Sequence, residues 1–257
     1  MGLLLLLHVL LVAVAARAPA ALAWGKEGHY MTCKIADGFL TSEASTGVKA
    51  LLPSWANGEL AEVWDCHDTK GNKNVCVVGA INNYTAALQD SSSPFDPTES
   101  LMFLAHFVGD VHQPLHCGHV DDLGGNTIKL RWYKRKSNLH HVWDSDVITQ
   151  AMKDFFDKDQ DAMIESIQRN ITDDWSSEEK QWETCRSKTT TCAEKYAQES
   201  ALLACDAYEG VEQDDTLGDE YYFKALPVVQ KRLAQGGVRL AAILNRIFSG
   251  NGRLQSI

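Results

Sequence analysis

Apolar residues fall at helical spacing along most of this chain. Leu101, Leu104, Ala105 and Val108 lie three and four apart, and ahead of them Asp96-Pro97-Thr98-Glu99 supplies an N-cap, a proline at the first helical position and an acidic residue at the third. Pro114 is expected to end or kink that helix. A longer pattern runs from Tyr221 to Phe248, its apolar face made by Leu226, Val229, Leu233, Leu240, Ile243, Leu244 and Ile247, with Pro227 and Gly236-Gly237 expected to interrupt it. Residues 26 to 51, 143 to 170 and 178 to 204 also read as helices. The one strand-like segment is Thr127 to Tyr133, which alternates after the turn Asp121-Asp122-Leu123-Gly124-Gly125-Asn126. The acidic stretch 209 to 220 reads as a solvated loop. The fold class is therefore mainly α with a small β-hairpin.

The start of the chain follows a different pattern. Leu3 to Ala16 is an almost unbroken apolar run, too short to span a bilayer comfortably, and Ala21-Leu22-Ala23 is a small-x-small cleavage site. Residues 1–23 are expected to be a signal peptide, leaving Trp24 as the mature N-terminus and 24–257 as a single secreted domain.

Composition narrows the function. The 257 residues are 45% apolar, enough for a sizeable core, and the formal charge is −10. Loss of Arg17 with the leader makes the mature chain one charge more acidic. That balance disfavours broad electrostatic binding to a polyanion, so any contact with phosphate must be local. Lys129, Arg131, Lys134, Arg135 and Lys136 form a local cationic run around the strand, read as a solvated hairpin. Among seven cysteines, Cys66/Cys76 and Cys185/Cys192 are close enough to close small disulfide loops, with Cys33, Cys117 and Cys205 left over. Asn83-Tyr84-Thr85 and Asn170-Ile171-Thr172 fit the glycosylation pattern, which puts both Asn83 and Asn170 at the surface.

The candidate chemistry lies in the histidines. Six of nine fall between residues 106 and 141, and two open the same spacing, His106-x-x-x-Asp110 and His140-x-x-x-Asp144. On a helix, i and i+4 share a face, so each imidazole and carboxylate could grip one divalent ion, and the N/O set suits zinc. His116 is a further candidate. A single buried histidine is usually a core residue satisfied by hydrogen bonds, but that reading does not explain two matched pairs. His112, His119 and His141 are assigned no ligand role; they either orient ligands or are exposed. Cleavage before Trp24 would free an α-amine beside its own carbonyl, and with His29 these groups can chelate.

Taken in order, Trp24-Gly25 with His29, then His106-Phe107-Val108-Gly109-Asp110, Gln113-Pro114-Leu115-His116 and His140-x-x-Trp143-Asp144 resemble the S1/P1-type nuclease family, and its plant-type members in particular. The resemblance covers essentially the whole mature chain. It implies a secreted, mainly helical, trinuclear zinc enzyme that cuts single-stranded DNA and RNA to 5′-nucleotides and acts on 3′-nucleotides. By the same resemblance His116, His140 and Asp144 would hold one zinc. The Trp24 amine and carbonyl, His29 and Asp110 would hold another, and Asp110 would bridge to a third that also uses His106.

The family supplies two more ligands for that third zinc from a stretch missing here. The chain passes from Gly58-Glu59-Leu60-Ala61-Glu62-Val63 almost directly to Cys66-His67-Asp68, skipping a few tens of residues. Lost with them, on this resemblance, are an arginine near the reacting phosphate, part of the base-stacking pocket, and the partners of Cys33 and Cys205. His67 is a possible substitute ligand, though a residue beside a disulfide is more often simply exposed. Two rival readings follow. One is a non-catalytic, metal-stabilised glycoprotein derived from the nuclease scaffold. The other is a zinc phospholipase C-like phosphodiesterase, which shares the fold and the N-terminal Trp ligand.

Overall fold

A computed structural model describes residues 24–52, 77–185 and 191–249. The described chain is mainly helical. Its helices are α1 (Lys26–Asp37), α2 (Ser42–Leu51), α3 (Val77–Gln89), α4 (Pro97–Asp110), α5 (Leu139–His141), α6 (Val147–Phe155), α7 (Gln160–Thr172), α8 (Ser176–Glu183), α9 (Ala193–Tyr208) and α10 (Asp219–Phe248). A 3₁₀ turn, Pro114–Cys117, follows α4, and a π-helical turn, Val142–Asp146, joins α5 to α6.

Helix α4 begins where the sequence places it. Asp96 accepts a hydrogen bond from the Glu99 amide at 2.9 Å, and Pro97 opens the first turn. The helix ends at Asp110, ahead of Pro114. The three long helical readings are each divided. Thr41 caps α2 by accepting from Ala44 N, and Asp159 caps α7 by accepting from Ala162 N, so 26–51 and 143–170 are broken by side-chain caps that the apolar periodicity runs straight through. The third, 178–204, is broken around the Cys185–Cys192 disulfide, which is formed.

The opposite error occurs in α10, expected to be interrupted and in fact continuous over 30 residues. Pro227 leaves the Phe223 carbonyl without its helical donor, but Phe223 lies on the exposed side, where water can serve. Gly237 is a contact rather than a break. A Cβ there would lie 2.3 Å from Ile35 Cγ2, so α1 and α10 cross at a distance only glycine permits. The apolar core lies in two clusters. Leu226, Val229, Leu233 and Val238 of α10 serve one, and Leu240, Ala241, Ile243 and Leu244 the other.

The expected strand forms as β1 (Lys129–Trp132), antiparallel to β2 (Arg135–Asn138), with Lys129 opposite Asn138 and Trp132 opposite Arg135. A third strand, β3 (Thr216–Leu217), pairs parallel to β1. It corrects the solvated-loop reading of 209 to 220, since Leu217 is buried against the core while most of that stretch stays exposed.

A buried polar cluster ties α4, α9 and α10 together. Arg232 and Arg239, both essentially inaccessible, share the Glu199 carboxylate. Arg232 Nε also donates to the His112 carbonyl at 3.1 Å, and Ser200 Oγ donates to the Val111 carbonyl. These bonds clamp the backbone just after Asp110.

Candidate metal centre

Seven residues singled out in the sequence come together in two groups. His29, His106 and Asp110 form one, and His116, His140 and Asp144 the other, each with donor atoms within 4.8 Å of one another. Trp24 joins the first, its backbone N lying 3.2 Å from Asp110 Oδ1.

Their positions follow from local structure. His106 and Asp110 occupy the last turn of α4, four residues apart, so His106 Nε2 comes within 3.1 Å of Asp110 Oδ2. His29 enters from the first turn of α1, its Nε2 3.2 Å from Asp110 Oδ1, and its ring stacks on His106 with centroids 4.4 Å apart. Gly109 makes room, because a Cβ there would lie 2.8 Å from His29 Nδ1. Gly25 N donates to the Asp144 carbonyl at 3.0 Å, which places the Trp24-Gly25 segment between the two carboxylates.

His140 and Asp144 sit where α5 passes into the π-helical turn, a widening that recurs at functional sites. His140 Nε2 lies 3.2 Å from Asp144 Oδ2, and His116 Nε2 lies 3.2 Å from Asp144 Oδ1. The groups touch where His116 Nδ1 stands 3.5 Å from Asp110 Oδ1.

The electrostatics suit a cation site. Burial works against ionising Asp110, but His106 and His29 outweigh it and hold the carboxyl far below its ordinary range. Burial likewise opposes ionisation of Asp144, and the His116 and His140 rings beside it outweigh that and hold it low. His29 is pushed down by burial against the pull of Asp110. His140 is raised, since Asp144 more than offsets its burial. Buried His140 Nε2 has no partner in hydrogen-bond geometry despite its closeness to Asp144. Imidazole and carboxylate donors that converge on one point fit a metal ion between them.

Two residues that support these donors were not singled out as site residues. Gln113, fully buried, donates from Nε2 to Asp144 Oδ1 at 2.7 Å and accepts from Leu115 N through Oε1. His140 Nδ1 donates to the Gly124 carbonyl at 2.7 Å, which leaves Nε2 as the free lone pair facing Asp144. Gly124 has φ +65°, and a Cβ on it would lie 2.3 Å from the Leu115 carbonyl. The sequence identifies the 121–126 turn, but nothing in it links that turn to a histidine sixteen residues on.

The other histidines separate. His112 is wholly buried and turned away from both groups, donating from Nδ1 to the Val108 carbonyl and accepting from Arg239 at Nε2. Its expected alternatives, orienting a ligand or being exposed, give way to a place in the arginine cluster. His119 is exposed and packs on Tyr208, and exposed His141 lies 4.0 Å from Asp146. Asn83 is exposed on α3 and Asn170 half-buried on α7. Cys66, Cys76 and His67 lie outside the described residues. Cys33 is buried, Cys117 half-buried and Cys205 exposed.

Comparison with known proteins places the chain in a family. A family model described as S1/P1 Nuclease matches residues 63–249. Endonuclease 4 of Arabidopsis thaliana is 47% identical, over 89% of this chain and 90% of its own length. Endonuclease 2 of Arabidopsis thaliana is 43% identical, over 96% of this chain and 98% of its own. Nuclease S1 of Aspergillus oryzae is 26% identical over 92% and 96%. With the family model spanning most of the chain and plant relatives well above 40% identity, the chain belongs to the S1/P1 nuclease family.

Proposed function

We propose that this protein is a secreted, zinc-dependent nuclease that hydrolyses phosphodiester bonds in RNA and single-stranded DNA to 5′-nucleotides, and that it also removes phosphate from 3′-nucleotides. The observation that carries this is the convergence of two His/Asp donor groups on a shared edge, with the Trp24 nitrogen beside one of them. Relatives bearing the names endonuclease and nuclease support the same reaction class over a phospholipase.

The donor sets fit zinc, with His116, His140 and Asp144 holding one ion, and the Trp24 terminus, His29 and Asp110 another. When bound, zinc supplies a Lewis acid for a phosphoryl oxygen and makes water nucleophilic near neutral pH. This chain's residues do the positioning. Asp110 presents Oδ1 toward His29 and Oδ2 toward His106, so it can bridge two ions. Gln113 and the Gly124 carbonyl fix the second group. Attraction for a polyanion by so acidic a chain is then focused in the metal cleft.

The missing stretch sets the level of activity. The match to Endonuclease 4 extends over 270 positions but takes in only 89% of this 257-residue chain, so roughly forty positions of the relative face no residue here. Placed after Val63, that shortfall removes two ligands of the third zinc and leaves His106 and Asp110 for it. Reduced hydrolysis is the expected consequence, and its extreme is the non-catalytic, metal-stabilised glycoprotein. The test is zinc per chain on processed protein, with hydrolysis of single-stranded RNA in excess zinc, beside a version carrying a family-type segment after Val63. Two tightly held zincs with slow hydrolysis, rising on insertion, is the expected result. Protein that holds no stoichiometric zinc would overturn the metal assignment, and equal rates would show that the gap does not limit activity.

A further inference from the structure

The turn at residues 119–127 carries the Gly124 carbonyl that receives His140, and its backbone takes a form that its sequence only partly favours. Leu123, Gly124 and Gly125 follow one another at left-handed φ, +56°, +65° and +85°. Glycine adopts that region freely, whereas a leucine there is strained and persists only where the surroundings hold it. Burial of the leucine does not offset the strain, because Leu123 is 57% exposed. Gly124 and Gly125 are buried instead, and a Cβ on Gly125 would lie 3.2 Å from Leu139 Cβ, next to His140. The turn is shaped to bring main chain against the second metal group.

Several bonds inside the turn keep its shape. Leu123 N donates to the Val120 carbonyl at 3.1 Å, Gly124 N to the His119 carbonyl at 2.8 Å and Thr127 N to the Asp122 carbonyl at 3.1 Å. None of these fixes the turn relative to the helices. A tie to them comes from Asp122, whose Oδ1 accepts from Gly125 N at 2.8 Å and from the Tyr208 hydroxyl at 2.9 Å. Tyr208 is the last residue of α9, the helix that packs along the 3₁₀ turn carrying His116. Its ring lies against the His119 imidazole, with centroids 4.8 Å apart. Burial and Asp122 push the phenol above its ordinary range, so it keeps its proton and donates.

We propose that Tyr208 is a positioning residue for His140, acting through Asp122 on the peptide between Gly124 and Gly125. That one trans peptide carries both ends of the relay. Its N–H, on Gly125, points to Asp122, and its carbonyl, on Gly124, points the opposite way to His140 Nδ1 at 2.7 Å. Pinning the N–H therefore aims the carbonyl, and the charged acceptor polarises the same peptide toward a stronger bond at its oxygen. A carbonyl only accepts, so Nδ1 carries the proton and Nε2 keeps the lone pair that faces Asp144. Between two glycines a peptide turns over readily. If this one did, its N–H would face Nδ1 and the proton would move to Nε2, leaving no lone pair for a cation. The consequence for metal rests on the reading of this group as a zinc site, while the relay stands on its own bonds.

The test uses processed full-length protein. Tyr208→Phe removes one oxygen and keeps the ring. Asp122→Ala removes the acceptor of both bonds, and Asp122→Asn restores an oxygen that can accept them. Tyr133→Phe is the control, because Tyr133 makes a comparable bond to Asp219 at 2.6 Å, away from the turn. In zinc-free protein, in buffer alkaline enough to keep the imidazole neutral, long-range proton–nitrogen NMR shows which His140 nitrogen carries the proton. Competition against a chromophoric chelator then gives the zinc affinities. Tyr208→Phe and Asp122→Ala should turn a single Nδ1–H form into a mixture with Nε2–H and weaken one zinc site about tenfold, the lower end of the loss that follows removal of a bond supporting a metal ligand. Asp122→Asn should lie close to the parent, and Tyr133→Phe should match it in both readouts. A Tyr208→Phe protein that melts lower but keeps the parent's tautomer and zinc affinity has lost only packing, and that result would overturn the proposal. Equal losses in Asp122→Asn and Asp122→Ala would overturn Asp122 as the link. If Asp122→Ala does not fold, Tyr208→Phe decides alone. A parent that holds no stoichiometric zinc, with its His140 tautomer still governed by Tyr208, would sink the zinc reading and leave the relay standing.

Discussion

Replacing Gln113 with leucine should damage one metal group and spare the other. The amide is fully buried and makes two bonds at once, donating to Asp144 Oδ1 at 2.7 Å and accepting from Leu115 N. Leucine of similar volume keeps the packing and removes both. The bond to a carboxylate is worth about 1.5–3 kcal/mol, and the stranded Leu115 amide costs about 1–3 kcal/mol more, so metal-free protein should lose about 3–5 kcal/mol. For a chain of this size that is a fall in melting temperature of about 10 °C. Metal binding should suffer separately, because without the amide Asp144 is free to turn between His116 and His140, each 3.2 Å away. Loss of such a supporting bond typically costs about 10–100-fold in affinity. Zinc competition against a chromophoric chelator should show one weakened site, with the site at Trp24, His29 and Asp110 unchanged. Gln113→Glu should melt lower still in metal-free protein at neutral pH. It places a second carboxylate about 2.7 Å from the first, a repulsion of about 6 kcal/mol at an effective dielectric of about 20. Unchanged zinc affinity in the leucine variant, or a glutamate variant as stable as the parent, would refute the idea that this amide sets Asp144.

Four further outcomes are expected. An N-terminal extension before Trp24 should cost one zinc per chain by elemental analysis, since an amide nitrogen cannot replace the amine that cleavage before Trp24 would free beside Asp110 Oδ1. His116→Ala should lose zinc with modest loss of stability, whereas His112→Ala should keep zinc and melt lower, because His112 is packed among Arg239, Val108 and Tyr196 rather than facing either donor group. Gly237→Ala should cost about 1–3 kcal/mol in denaturant melts by forcing α1 away from α10 at Ile35. Glu199→Gln should cost about 3 kcal/mol at neutral pH by leaving Arg232 and Arg239 without their carboxylate. Burial raises the Glu199 pKa, but Arg239 and Arg232 outweigh it and hold it below its ordinary value. Its stabilisation is therefore full above that ordinary value and fades as pH falls through the depressed one, so the parent and variant melts should converge on acidification.

The legible parts of this molecule are those that depend on near neighbours in the chain. The start of α4 could be read because Asp96, Pro97 and Glu99 act within one turn, and His106 with Asp110 because one helical turn brings them together. The Cys185–Cys192 loop is local in the same sense. Helix ends were less legible, since apolar spacing continues across Thr41 and Asp159 while the caps that break it are single oxygen atoms. Continuity of α10 was hidden for the converse reason. Glycine and proline are weak local formers of helix, and tertiary contact with α1 overrides that preference at Gly237. The joining of Trp24 and His29 to Asp110 spans more than eighty residues, and only the family resemblance pointed to it. The supporting roles of Gln113 and the Gly124 carbonyl were not legible, because each acts through a donor on another element.

What the described structure holds in place bears directly on the shortened chain. Every donor of the two groups comes from three segments, residues 24–29, 106–116 and 140–144. Each of those segments is held by contacts among the described residues. Helix α1 is pinned against α10 at Gly237, and the end of α4 is held by Arg232 through the His112 carbonyl and by Ser200 through the Val111 carbonyl. His140 is held by Gly124 and Asp144 by Gln113. A loss between Val63 and Cys66 would therefore leave two metal groups standing and strip ligands only from a third ion beside His106. Such an ion would retain two protein ligands where a catalytic zinc ordinarily has three. The fold and most of the zinc should then survive better than the rate does, which is why zinc content and hydrolysis need to be measured on the same preparation.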